Sequence, residues 1–288
     1  MRLMLYGGLG NQLFKLFAAS KLVEDGFATS VNVDVSWFEH KGPGSSPKAE
    51  YQLSRIIDGL QFTQTTIKSR PIFHLTQEIL AKLTSPQLKK LGVYNDIGDY
   101  IRPDFHPKVM LGNFESITYF PTTARMMSLF DKLSVQNSWV SNVESEIEKI
   151  DPIVVHVRLE DYLKYSDVYG IVNVEYYLEA VSYLKTRNPK CPIWLISDNA
   201  NLAIERFRGI LNFDFVLEQP EGISPLQFLN AVSSTDKIII ANSTFSWWAA
   251  WLAHQRNNEV QVVMPNRFHS YESEIDRLYI SGWKRISV

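Results

Sequence analysis

A chain of 288 residues with 45% hydrophobic and 21% charged side chains is long enough for two cores, which excludes a disordered protein. Its 29 basic and 31 acidic residues leave a net charge of -2, without general attraction for nucleic acid, so no nucleic-acid partner is expected. A single cysteine, Cys191, excludes an intramolecular disulfide and a cysteine-based zinc site, and no apolar run approaches the ~18 residues of a membrane span. With no integral membrane segment and no signal peptide, the expected location is cytoplasmic, or peripheral at the inner membrane face.

The first half opens with a short strand, Arg2–Tyr6. A glycine-rich turn, Gly7 to Gln12, follows, and then a helix over Leu13–Leu22. Glycines at such a junction let backbone N–H groups approach an anion at a helix N-terminus. The dinucleotide fingerprint needs a third glycine where Leu13 stands. Asp34 closes the strand Ser30–Asp34 and is placed to hold a ribose in a dehydrogenase. Residues 37–54 read as a loop centred on Gly42–Pro47, either a lid or a mobile segment. Gln77–Leu91 has helical spacing, Val109–Ser116 is a strand running into a loop, and helices are expected over Met126–Leu133 and Val140–Ile150. Asp151-Pro152 breaks the pattern, which sets expected domains of 1–150 and 151–288.

The second half alternates strand and helix more regularly. Strands are expected at 153–157, 192–196, 213–217, 237–241 and, last, 260–264. Helices are expected at 174–186, 201–211, 225–233 and 247–255. This alternation implies a parallel sheet. Three strand ends carry polar groups: His156, Arg158 and Asp161; Ser197, Asp198 and Asn199; Asn242, Ser243, Thr244 and Ser246. Parallel strands put all three on one edge, where open α/β sheets bind ligands. An arginine for phosphate, a carboxylate for a base edge and a helix N-terminus for a second phosphate suit a nucleotide diphosphate. No Asp-x-Asp or histidine cluster suggests a metal, so none is expected. Trp247, Trp248 and Trp251 fit core packing, and Asp161 fits an orienting partner for Arg158.

The motifs Gly7-Gly8-Leu9-Gly10-Asn11-Gln12-Leu13-Phe14, Leu111-Gly112-Asn113-Phe114-Glu115-Ser116, His156-Val157-Arg158 with Asp161-Tyr162, and Asn242 to Leu252 resemble family 11 glycosyltransferases, the α-1,2-fucosyltransferases. The resemblance implies a GT-B-like α/β protein, two Rossmann-like domains with parallel sheets facing across a cleft. It implies inverting transfer of L-fucose, or a related deoxyhexose, from a GDP-sugar to a galactose-containing glycan. No cofactor or metal is implied.

By motif, Arg158 binds the diphosphate, His156 and Asp198 the guanine side, and Ser243, Thr244, Phe245 and Ser246 the phosphates, with Asn242 in the same donor set. Asp161 and Ser197 join that donor set, and Gly8, Gly10, Asn11 and Gln12 face it. Where the family usually has two arginines, then glycine and aspartate, this chain has Arg158-Leu159-Glu160-Asp161, which keeps a related GDP-sugar open as donor. Arg158 is expected to assist the leaving group. Asp34, Glu39, His40 and Glu115 are the candidates for the acceptor's general base, with Glu115 favoured. Two alternatives stand beside this reading: an NAD-dependent dehydrogenase, and a catalytically silent sugar-nucleotide-binding protein of the same fold.

Overall fold

Short three-residue strands start the architecture. In the computed structural model, which describes residues 1–40, 50–53, 62–133, 137–164, 170–269 and 276–288, β1 (Arg2–Met4) pairs in parallel with β2 (Asn32–Asp34) and with β5 (Val109–Leu111). β3 (Thr63–Thr65) extends the sheet beyond β2, and β4 (Val93–Asn95) extends it beyond β5, giving the order β3-β2-β1-β5-β4. Residues 41–49, including the whole of the expected loop centre Gly42–Pro47, lie outside the described residues.

The second sheet has the order β11-β10-β9-β6-β7-β8, with every pairing parallel. Its strands are β6 (Ile153–Val157), β7 (Ile193–Ser197), β8 (Phe215–Val216), β9 (Lys237–Ile239), β10 (Gln261–Pro265) and β11 (Lys284–Ile286). Read from β6, this is the doubly wound Rossmann order, whose direction of winding reverses between β6 and β9. β6 and β9 are buried along their whole length, as a strand covered on both faces must be. The α/β class with two parallel, Rossmann-like sheets is therefore as the sequence implied.

The chain divides into two units, Met1–Leu133 and Ser134–Val288. The expected division at 150/151 differs because the amphipathic helix Ser138–Ile150 packs on the helix Pro225–Val232, where Trp139 stacks on Phe228 at 6.0 Å. That helix ends in Asp151, at φ 55° in the left-handed region that Asp tolerates better than most residues, and Pro152 follows.

Several elements were misread from sequence. The helix expected from Leu13 starts at Leu9, so the glycine turn is only Gly7-Gly8; Gly10, Asn11 and Gln12 lie in the helix's first turn. The periodic stretch 77–91 is two helices, Arg70–Ala81 and Ser85–Lys90, because Thr84 and Gln87 form a capping box with Pro86 behind it. Residues 36–40 form a short helix rather than loop, and β11 adds a strand after the one expected to be last. The three tryptophans are core, as expected: Trp247 and Trp248 are fully buried with their rings edge to face, and Trp247 Nε1 donates to the Leu278 carbonyl at 2.8 Å.

Candidate functional site

The reversal between β6 and β9 brings together the two strand ends richest in polar groups. Beyond Val157 the chain turns out through Arg158 and Leu159 into the short helix Glu160–Lys164. Asp198, just past the end of β7, fixes this turn. Its Oδ1 accepts the Leu159 N–H at 2.9 Å, its Oδ2 accepts the Glu160 N–H at 3.0 Å, and Arg158 Nε lies 3.2 Å from Oδ2. The aspartate expected on the guanine side thus already holds three donors and aims Arg158. The orienting role expected of Asp161 cannot be placed, since its side chain lies outside the described residues. Ser197 accepts the Asn199 N–H at 3.1 Å, and Asn199 caps the next helix.

Arg158 lies over the Tyr162 ring, 5.9 Å from its centroid, and the Tyr162 hydroxyl donates to the Asn242 carbonyl at 2.6 Å. This chain of contacts ties the end of β6 to the turn after β9. That turn runs into the helix Thr244–Arg256, whose N-cap residue Ser243 makes no side-chain cap hydrogen bond. The first N–H groups of a helix have no partner within it, so this end carries partial positive charge, following the strand next to the one that leads to Arg158. Phe245 turns its ring toward His156 at 5.8 Å.

His156 is 4% exposed, and its Nδ1 has no hydrogen-bond partner among the described residues. Burial, and after it the Arg158 cation, push its pKa down to about 4, while Asp198 pulls the other way. The imidazole is therefore neutral near pH 7, with one buried nitrogen unused.

One expected donor-site residue and one expected phosphate ligand act here as braces. Asn242 Nδ2 donates to the Phe268 carbonyl at 3.0 Å and to Gly170 at 3.3 Å. The Ser246 hydroxyl is buried against the carbonyls of Ser243 (3.2 Å) and Ala241 (3.4 Å). Ser243 and Thr244 stand at the helix start itself.

The first unit has its own reversal, between β1 and β5. Gly7 sits at φ 86°, where a Cβ would also press on Asn11 at 3.1 Å, and Gly8 is exposed at the N-cap of Leu9–Glu24. Gln12 is fully buried and clamps this turn: Nε2 donates to the carbonyls of Gly7 (2.9 Å) and Glu50 (2.7 Å), and Oε1 accepts the Gln52 N–H at 3.0 Å.

After β5, Gly112 takes φ 146°, and a Cβ there would meet the Asp96 backbone nitrogen at 2.9 Å. Phe114 takes φ 57°, an unfavourable value for a non-glycine residue. Its N–H donates to Asp96 Oδ2 at 2.6 Å and its fully buried ring packs edge-on against Tyr119, which together hold the strain and present buried Glu115. Asp34 is placed differently from what a base or ribose ligand needs. It is 3% exposed, accepts from Arg2 Nε at 2.8 Å and the Ser36 N–H at 3.0 Å, and is locked between them. Glu39 is exposed on the helix Ser36–His40, and the His40 ring nitrogen is engaged by the Ile67 carbonyl.

Sequence reasoning missed Lys15. Its side chain is 0% exposed, its ammonium lies 3.9 Å over the Tyr6 ring, and Nζ donates to Asn113 Oδ1 at 3.1 Å. Burial pulls its pKa down to about 7, against the opposing pull of Glu115 and Asp96. The available signal was a lone cation inside the apolar run Leu13-Phe14-Lys15-Leu16-Phe17.

The family model described as Glycosyl transferase family 11 matches residues 7–287. An Escherichia coli protein named O-antigen biosynthesis glycosyltransferase WbnK is 23% identical over 319 aligned residues, covering 97% of this chain and 98% of that protein. A second Escherichia coli relative, named alpha-1,2-colitosyltransferase, is 25% identical over 146 residues, which are 49% of this chain and 50% of the relative. Among solved structures, a glycosyl transferase family 9 protein from Veillonella parvula aligns with 99% of this chain and 86% of its own at a TM-score of 0.49 and 9% identity.

Proposed function

We propose, because the chain belongs to glycosyl transferase family 11, that it moves L-fucose or a related deoxyhexose from a GDP-sugar to a hydroxyl of a galactose-containing glycan, with inversion and in α-1,2 linkage. That it is a glycosyltransferase follows from membership; donor, acceptor and linkage are the reading offered here. The observation that carries it is Arg158, held by Asp198 beside the helix N-terminus at Ser243, on the β6 and β9 ends where the sheet reverses. A cation and a helix N-terminus side by side suit a diphosphate leaving group.

In the proposed reaction the acceptor hydroxyl oxygen bonds to the anomeric carbon as that carbon's bond to the β-phosphate oxygen breaks. The electron pair leaves on GDP, where Arg158 and the helix end stabilise it. The relative named a colitosyltransferase favours keeping a deoxyhexose other than fucose in view.

The test is incubation with a panel of GDP-sugars and galactosides, with and without EDTA. Transfer from GDP-fucose or a related GDP-deoxyhexose, unaltered by EDTA, is expected, because the proposed site takes the phosphate charge on protein groups. GDP binding without transfer or hydrolysis identifies the silent binding protein instead, and binding of NAD but not GDP ends the reading.

The proton of the acceptor hydroxyl needs a receiver, and among the first unit's carboxylates we assign this to Glu115. Asp34 is tied to Arg2 and Ser36, whereas Glu115 is presented by a strained turn at a sheet reversal. Glu115→Gln is expected to retain GDP affinity, lose turnover and lose the acidic limb of the pH–rate profile. Retained turnover with that limb unchanged removes Glu115 as the base.

A further inference from the structure

We infer that the helix Arg70–Ala81 is a membrane-surface element that docks this protein on anionic lipid. Phe73 is buried and Leu80 half-buried, so one side of the helix packs on its own domain. Ile72, Leu75 and Ile79 are 58%, 58% and 51% exposed. At about 100° per residue these three fall within roughly 60° of one another, as one stripe continuing the apolar arc out into water. Single exposed apolar residues need no account, but three at helical spacing on one short helix do.

The charges around the stripe identify its occupant. Lys68 and Lys82 lie at its two ends, both exposed, Arg70 is exposed on the opposite side, where its Nε meets His74 Nε2 at 3.4 Å, and Glu78 is the acidic residue within the helix. Residues 68–90 carry five basic groups (Lys68, Arg70, Lys82, Lys89, Lys90) against that one acid, with Lys89 paired to Asp104 at 2.7 Å, in a chain whose net charge is -2. An apolar stripe with cations at its ends matches a layer of anionic headgroups over acyl chains. The positive groups meet the phosphates while the isoleucines and the leucine enter the acyl boundary. A protein partner would have to supply both an apolar groove and an acidic rim. The inference rests on neither the donor nor the acceptor proposed above.

The experiment is co-sedimentation of the full chain with phosphatidylcholine vesicles and with mixed phosphatidylglycerol–phosphatidylcholine vesicles. Association with the mixed vesicles, weakened by salt, is expected. Ile72→Ser/Leu75→Ser/Ile79→Ser and, separately, Lys68→Gln/Arg70→Gln/Lys82→Gln should each reduce it at least about tenfold. Both sets are exposed, so the parent's unfolding temperature should be kept, and the charge set leaves the apolar face intact as a second reading. Equal sedimentation of either variant and the parent, or no association by the parent, overturns the inference. So does parent self-association in light scattering that the serine variant abolishes, which would make this face a protein interface.

Discussion

Arg158→Ala is expected to lower GDP affinity by about 30-fold to a few thousand-fold, the equivalent of roughly 2–5 kcal/mol for a charged hydrogen-bonding partner of phosphate. Its guanidinium is part-buried, with its side chain 28% exposed, which places the loss below that of a fully desolvated group. The turn itself should survive. Asp198 still accepts the N–H groups of Leu159 and Glu160, and Tyr162 still bridges to Asn242, so the unfolding temperature should move little. Arg158→Lys keeps the charge but loses the planar fork, and should fall between the parent and the alanine variant. Glu160→Ala, whose own N–H contact to Asp198 is retained, should change affinity by no more than a few-fold. Titration calorimetry with GDP decides the matter: equal affinity for Arg158→Ala and the parent removes Arg158 from the donor site.

The two strands that aim this site were readable because each belongs to a largely apolar, buried run, 153–157 and 238–241, that gives way abruptly to polar residues. That Asp198 would hold Arg158 was not readable, because it is brought in by the pairing of β6 with β7, a register that no local pattern encodes. The division between the units was misplaced for the same reason. The helix Ser138–Ile150 shows its period plainly, yet the surface it covers, Pro225–Val232, lies far along the chain. β3 was missed because Thr63-Gln64-Thr65 has no buried residue and no apolar alternation, as befits an edge strand. Gln12 and Asn242 fell inside recognisable motifs, but a motif does not distinguish a residue that touches ligand from one that braces the turn presenting it.

Lys15→Met is expected to stabilise the protein near neutral pH while reducing transfer. Methionine fills a similar volume without a charge to desolvate, whereas the native ammonium is fully buried. In the folded protein its pKa falls from 10.5 to about 7. Between those values the unfolded chain binds a proton at this position that the folded chain has released. Stability therefore rises with pH from about 7 to 10.5, and the cost of burying the ammonium is complete below pH 7. The cost is of order 2–5 kcal/mol, partly offset by the Asn113 hydrogen bond and the contact with the Tyr6 ring. Subtracting the Lys15→Met stability curve from the parent's isolates this group from others that titrate in the same range. The difference should narrow steadily from pH 7 to pH 10.

A chain that keeps so costly a cation gains something beyond packing. Here it holds Asn113 on the strained turn that presents Glu115, with the carboxylates of Glu115 and Asp96 close enough to bias its protonation. Loss of that hold should lower kcat at least about tenfold with GDP affinity unchanged, the pattern of a positioning residue. A methionine variant that is more stable and fully active would show that Lys15 only fills space. One less stable than the parent at every pH would show that its contacts outweigh its burial.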